Sequence, residues 1–431
     1  MGRFVNPDNS AFQVALNSEI YVDKTGLLEY TNHVLDTPEG YICNSRPRRF
    51  GKSYAANMLA AYYSKGCNSE KMFSGLEISK AADFKTHLNQ YDVIHMDIQW
   101  FVSNCSEVNR VITFITKSVL DELQEIYPCL AQQPVATLPD ALSRIKDKTG
   151  QKFVIIIDEW DVLIRDESAN KKVQADYINF LRGMFKGTEP TKYIQLAYLT
   201  GILPIRKEKT QSALNNFDEI TMLQAGRLAP YIGFTEEEVK QLCENYHQDY
   251  KKVKKWYDGY HFGNVDVYCP WDLMNYLCDL QRNPEAKPDS YWKNTSDNAI
   301  IRSFIDYAGS SITKKLETLL AGGYIVEQID ESLTYDYLHS SEDNLWSVLY
   351  LTGYLTSVRD EAIAGDIPEG TSALMIPNEE IREIFETTII QWFDDSARSW
   401  NRKPLFDAIW AKNCAAATEE MNRLLRKTIS Y

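Results

Sequence analysis

CNSRPRRFGKSYAANMLAAYY, residues Cys43 to Tyr63, is the stretch that decides how this chain folds. The apolar residues Tyr41, Ile42 and Cys43 read as the end of a strand, and Gly51, Lys52 and Ser53 lead into an alanine-rich helix that Gly66 is expected to end. A loop set between a strand and a helix N-terminus aims several backbone N–H groups at one point, where the helix dipole also favours negative charge. That geometry suits a polyphosphate. Lys52 would reach the β- and γ-phosphates as a point charge, and the Ser53 hydroxyl would hold magnesium. The pattern G-x-x-x-x-G-K-[ST] asks for glycine where this chain has Arg46. Pro47 fixes φ and Arg48 and Arg49 add two guanidinium groups, so the loop is stiffer and more basic than a glycine-rich one. On its own, Gly-Lys-Ser also occurs by chance ahead of surface helices.

A partner motif lies downstream. Phe153 to Ile157 form a continuous apolar, β-branched run ending in Asp158 and Glu159, as a buried parallel strand would. Asp158 would hold magnesium through water, and Glu159 would polarise an attacking water. Taken alone, FVIIIDEWD is equally a core strand followed by a solvated acidic turn; the two motifs in this order select nucleotide binding. Tyr91 to Trp100 reads as a strand inserted between them, an arrangement of P-loop proteins that carry their catalytic glutamate beside the second motif's aspartate. His95 and Asp97 on that strand are given no catalytic role. Helices are expected at about Glu107–Tyr127, Pro139–Lys146 and Lys172–Phe185, and a further strand at Tyr193–Thr200. Thr200, at that strand's end, has the chemistry to sense a γ-phosphate or position water. Arg206, Lys207 and Lys209 offer positive charge beyond it. The fold class is therefore α/β, a P-loop NTPase with a central parallel sheet.

The whole chain fits that class. It has 431 residues, 44% hydrophobic and 25% charged, enough for two or three cores. A net charge of -14 argues against a broad nucleic-acid-binding face, which needs clustered Lys and Arg. The 8 cysteines form no C-x-x-C pair and no Cys/His cluster at zinc spacing, so a reducing cytoplasm fits best. No run approaches the length of a membrane span. Asp23 and Lys24 precede the loop's strand, where base contacts are common; a capped helix packing on the sheet is the plainer expectation. At about Gly226 the pattern changes to amphipathic helices. Thr235 and Glu238 make a capping box that starts a helix running towards Lys254, WYDGYHFG (Trp256–Gly263) packs aromatics around two glycines, and Pro270 sits where a first helical residue belongs. Further helices are expected at Asn344–Thr352 and Glu379–Phe393. The expected organisation is 1–225 P-loop domain, 226–400 mostly helical domain and 401–431 a linker region.

YVDKTGLLEY, SRPRRFGKS, IIIDEWD, LTGILPI, LNNFDEITML, GFTEEEV, WYDGYHFG, LWSVLYLTGYLT and IPNEE together closely resemble the bacterial AAA-ATPase-like family, in order and over nearly the whole chain. The resemblance implies nucleotide phosphate contact at Arg48, Arg49, Gly51, Lys52 and Ser53, with Phe50 and Tyr54 completing the cofactor-binding stretch. It implies magnesium at Ser53 and Asp158, and catalysis by Glu159, Lys52 and Thr200. Arg46 belongs to this family's loop. The family's ATPase-like module is commonly fused to a C-terminal PD-(D/E)XK nuclease-like domain, of which no acidic D/E-x-K site is found here; the end at RLLRKTISY is read as a truncation at that border.

Two functions from different classes follow as expectations. One is a magnesium-dependent ATPase that converts hydrolysis into movement of its helical domain and of an attached effector. The other is a nucleotide-gated switch or interaction module that binds ATP and turns over little. A protein or DNA partner through the C-terminal side and an oligomer are compatible with either, with Arg48, Arg49 or Lys207 as arginines or lysines acting in cis.

Overall fold

The computed structural model describes residues 2–132, 134–165, 170–205, 214–292, 310–331, 342–399 and 403–428. Five strands, β1 (Tyr41–Ser45), β2 (Asp92–Asp97), β3 (Phe153–Asp158), β4 (Ile194–Gly201) and β5 (Asp218–Ile220), form a parallel sheet of order β2-β3-β4-β1-β5. The apolar run in β3 is buried along its whole length because helices cover both faces of the sheet. Alternate residues part to the two sides with period two. Val93, Val154, Ile156, Leu196 and Tyr198 join the core containing the helix Lys52–Tyr63. Ile94, Ile155, Ile157, Ala197 and Leu199 join the core beneath the helices Val111–Ile126, Leu138–Thr149 and Lys171–Phe185. These helices lie close to where the apolar periodicity placed them.

One expectation is overturned. Tyr91–Trp100 does not insert between the two motif strands; β2 is the outer strand beside β3, and β4 stands between β3 and β1. The eight residues of β4 are nearly all buried, as a strand paired on both edges requires. The outer edge of β2 is instead covered by the N-terminal arm, where Val5 bridges Ile94 and the His95 N–H donates to the Phe4 carbonyl at 2.8 Å. The strand also ends sooner, because Asp97 accepts from the Trp100 N–H at 3.0 Å and caps the helix Ile98–Asn104. His95 is half-buried, and desolvation holds its imidazole below its ordinary value.

The C-terminal region is mostly helical and also holds two small antiparallel sheets. In one, β6 (Phe234–Thr235), β7 (Tyr260–Phe262) and β8 (Val265–Tyr268) have the order β6-β8-β7; in the other, β9 (Ile325–Glu327), β10 (Thr356–Ser357) and β11 (Ser372–Met375) have the order β10-β11-β9. The Thr235/Glu238 capping box forms, but the expected helix towards Lys254 divides into Glu236–Asn245 and Tyr250–Tyr257. His247 adopts φ 54° at the break and Asp249 caps the second piece. Pro270 opens the helix Pro270–Arg282. Gly259 has φ 111°, and a Cβ there would lie 1.9 Å from the Pro377 carbonyl oxygen, so only glycine lets the β7 hairpin approach that segment. Residues from both ends of the chain share one core, which runs from Phe12 through Tyr260 and Trp346 to Phe385. Lys403–Trp410 and Cys414–Thr428 are helices that pack on one another. Among the described residues no helix is long and apolar enough to cross a membrane.

Candidate functional site

The loop after β1, the turn after β3 and the segment after β4 leave the sheet at one edge, the C-terminal ends of the strands, where open α/β sheets bind ligands. The phosphate loop turns through two left-handed residues, Arg49 at φ 71° and Gly51 at φ 89°. Nothing lies within 4 Å of where a Gly51 Cβ would be, so glycine is needed there for its backbone and not for space. Lys52 is buried, and its Nζ donates to the carbonyls of Arg46 (3.1 Å) and Pro47 (2.8 Å), folding the loop around the ammonium. Burial lowers the Lys52 pKa, against the opposing pull of Glu159, Asp161 and Asp158. Ser53 and Tyr54 are exposed at the start of the helix.

Arg46, the departure from the glycine pattern, lies outside the open side of the loop. Its Nη1 donates to the carbonyls of Ser45 and Ile220, both at 3.1 Å, and its guanidinium lies 4.5 Å from the centre of the Phe262 ring. Burial pulls its pKa down to about 10. A glycine would leave this space between β1, β5 and β7 unfilled. Phe50 is likewise fully buried, with its ring 5.0 Å from that of Tyr260 and 5.5 Å from that of Phe262. The loop is thus anchored to the C-terminal region by its own side chains.

The acidic turn is built from three sources. Thr200 Oγ1, at the end of β4, donates to Asp158 Oδ1, and the Glu159 N–H donates to Asp158 Oδ1 at 3.1 Å and Thr200 Oγ1 at 3.3 Å. Glu159 takes a left-handed φ of 54°, a conformation a non-glycine residue adopts at a cost of about 1 kcal/mol or more. Its carboxylate pairs with buried Arg165, whose Nε lies 3.1 Å from Asp161. Asp161 in turn accepts from the N–H groups of Ile202 (3.0 Å) and Leu203 (2.8 Å). Burial pushes the Glu159 carboxyl up, while Lys52 and Arg165 oppose the shift. Asp161 and Arg165 were missed in the sequence, although their spacing of four places them on one helical face and pointed to a pair.

Between these parts lies a cleft of about 390 Å³. Arg49, Phe50, Gly51, Lys52, Ser53 and Tyr54 form one side and Glu159 lies at its end. Ile20, Tyr21 and Val22 from the N-terminal segment, with Phe234, Trp271 and Met274 from the C-terminal region, give the rest of its walls an apolar character. Asp158 and Thr200 are buried and do not line the cleft, and Arg48 is exposed outside the lining. Asp23 is a cap, accepting from the Thr25 and Glu77 N–H groups at 2.8 and 2.7 Å. Lys24 pairs with Glu238 and donates to the Pro230 carbonyl at 2.7 Å, so it ties the N-terminal segment to the capping box. Arg206, Lys207 and Lys209 lie outside the described residues. No cluster of three or more His, Cys, Asp or Glu suited to a metal occurs among the described residues. One carboxylate and one hydroxyl, Asp158 and Ser53, are nevertheless the donor set magnesium uses when phosphates and water supply the rest.

Known proteins resemble the chain in sequence and, remotely, in structure. A protein described as uncharacterised, from the vnfD 5′ region of Azotobacter chroococcum mcd 1, is 22% identical over 383 residues, covering 88% of this chain and 68% of that protein. AMPPCP-bound DnaA from Aquifex aeolicus matches at a TM-score of 0.29 and 10% identity, covering 73% of this chain and 77% of that one. The Aeropyrum pernix ORC2 protein, in ADPNP-ADP complexes, matches at 0.34 and 10%, covering 86% and 97%. Both structural likenesses are too distant to bear on the chemistry. The AAA-ATPase-like family, described as a predicted AAA-ATPase, matches residues 11–210, the segment that carries the phosphate loop, the acidic turn and Thr200. That segment of the chain belongs to the AAA-ATPase-like family.

Proposed function

We propose that the chain binds ATP with magnesium in the cleft and hydrolyses it, passing the change of nucleotide to its C-terminal helices. One observation carries this: a single cleft brings together Lys52, Ser53, Glu159 and an apolar wall supplied by Trp271 and Met274 from the other end of the chain. The loop N–H groups and Lys52 would take the phosphates, and Lys52 exchanges its two carbonyl partners for phosphate oxygens. The apolar walls suit a nucleobase. Ser53 and Asp158 would hold magnesium, which when bound neutralises developing phosphate charge. Glu159 would orient and deprotonate water, with Thr200 fixing the Asp158 carboxylate beside it. In this reading residues 1–225 form the nucleotide-binding domain and 226–400 the region that responds, with 401–431 beyond it.

A second reading, a switch that binds nucleotide with little turnover, is favoured by the engagement of the Glu159 carboxylate by Arg165. Titration calorimetry with ATP and magnesium, on wild type and Lys52→Ala, tests the common part. Removing the ammonium is expected to cost about 1.5 to 3 kcal/mol of binding. Equal affinity in the two proteins rejects the phosphate-loop assignment; binding by wild type without release of phosphate selects the switch.

A further inference from the structure

Arg49 looks two ways. It lines the cleft, yet its Nη1 is buried and donates to no partner among the described residues. Its guanidinium lies 5.6 Å from the centre of the Trp271 ring and 5.7 Å from that of Trp292, within cation–π range of both. Two fully buried carboxyl groups share this corner: Asp272, in the first turn of Pro270–Arg282, and Glu380, in the first turn of Glu379–Ser399. Each influences the other's proton affinity, and both act electrostatically on Arg49. Glu380 Oε1 is committed to the N–H groups of Tyr291 (2.6 Å) and Trp292 (2.9 Å). Asp272 Oδ1 and Glu380 Oε2 accept no hydrogen bond among the described residues.

A buried donor and two buried acceptors left short of partners are costly, and movement of the arginine towards the carboxyl groups would pair them. Every part of the corner except Arg49 comes from the C-terminal region. Arg49 itself sits at φ 71° in the phosphate loop, so its position depends on the loop's conformation.

We propose that Asp272, Glu380, Trp271 and Trp292 form a seat for the Arg49 guanidinium, and that a bound nucleotide's phosphates compete with this seat for it. The inference rests on the nucleotide reading above and supplies its link to the C-terminal helices. With the cleft empty, Arg49 fastens the phosphate loop to the first turns of two helices. Phosphate draws the guanidinium out, and the two helices lose that attachment.

Competition has a sign. Asp272→Asn weakens the seat, so it should tighten magnesium–ATP binding about fivefold or more, a usual size for coupling between sites. In an Arg49→Met background the same change should alter affinity by less than about twofold, because there is no guanidinium to compete for. A purely structural role for Asp272 would weaken binding in both backgrounds. Calorimetric titration of the four proteins reads this directly. Unchanged or weakened binding in Asp272→Asn, with wild type binding normally, overturns the seat alone; absence of binding in wild type overturns the nucleotide reading together with it. Should Asp272→Asn fail to fold, tryptophan emission during ATP titration of wild type, Trp292→Phe and Arg49→Met carries the test. Wild type should respond, and both variants should lose most of the response; an undiminished response in Arg49→Met overturns the seat.

Discussion

The phosphate loop and the wall facing it are built on different plans. The loop, Arg46–Ser53, is made by one strand, one turn and one helix start, and its chemistry is set by neighbours in sequence. The wall, from Phe234 and Trp271 to Met274, is made by residues that reach the site only because the chain folds back much later in the sequence, with Phe50 packed against the β7 hairpin. A nucleotide held by both would feel the first as fixed donors and the second as something that can move. Lys52 already makes its hydrogen bonds within the loop, whereas the corner behind Trp271 contains buried polar atoms with none. Lys52 is satisfied within the loop, and Arg49 and the wall behind Trp271 are where a change of ligand can be felt.

The largest expected effect breaks the catalytic side and leaves the wall intact. Glu159→Gln keeps the shape and the main-chain contacts of the turn but removes the carboxylate proposed as base, so turnover should fall about 10²- to 10⁴-fold with ATP affinity retained. Phosphate release and calorimetry on the same preparation check this. Turnover equal to wild type would take Glu159 out of the mechanism.

Next in size, Phe50→Ala separates the two regions. It empties a fully buried site between the loop and β7, and should destabilise the fold by about 3–5 kcal/mol in denaturant unfolding. Because Phe50 joins loop to wall, ATP binding should weaken as well. A loss under about 1 kcal/mol would show that the two regions are not packed through this ring.

How much could be read in the sequence follows the same division. The β3 run, the Gly-Lys-Ser step and the strand ending in Thr200 are local patterns, and each lies where period and turn chemistry put it. Strand order was not local: β2 follows the loop helix in the chain but pairs at the far side of β3, since a crossover connection can pass over intervening strands. Asp23 and Lys24 had the composition of ligand contacts, and only their partners, the Glu77 N–H and Glu238, show them to be a cap and a tie. Arg46 was visible as a missing glycine, but its use depends on Ile220 and Phe262, far along the chain. Trp271, Asp272 and Trp292 lie in none of the stretches that carry the resemblance, and Glu380, the last residue of IPNEE, had no role assigned to it. A tryptophan or acid in a helical stretch reads as ordinary amphipathic surface until the fold brings it to the loop.

The smallest effect sharpens the comparison by titrating the wall alone. Burial pushes Asp272 up to about 7, and burial together with the Asp272 charge pushes Glu380 up to about 10. A carboxyl whose folded pKa is raised binds its proton more tightly in the native state than in the unfolded chain, where it titrates near about 4. Its stabilising contribution is therefore full at low pH and declines as pH rises towards the folded value. For this pair the decline runs from about pH 4 upwards and, between about pH 7 and 9, continues through the proton Glu380 retains, at no more than about 1.4 kcal/mol per unit. Glu236, pulled to about 2 by hydrogen bonds from Tyr250 and Lys240, gives the opposite slope, but only below its ordinary range. The titratable groups that interact with the pair are Arg49, Cys269, Tyr257 and Tyr260; burial shifts Cys269, Tyr257 and Tyr260 upward, away from this window. Thermal unfolding should thus fall in midpoint from about pH 7 to 9 in wild type and stay flatter in the double variant Asp272→Asn, Glu380→Gln, whose introduced side-chain amide carbonyl can still accept from the Tyr291 and Trp292 N–H groups. Parallel slopes in the two proteins would mean that the pair does not hold its proton above neutrality, and the loop would then face two fixed negative charges in the wall, an attachment no nucleotide-sized competition could readily release.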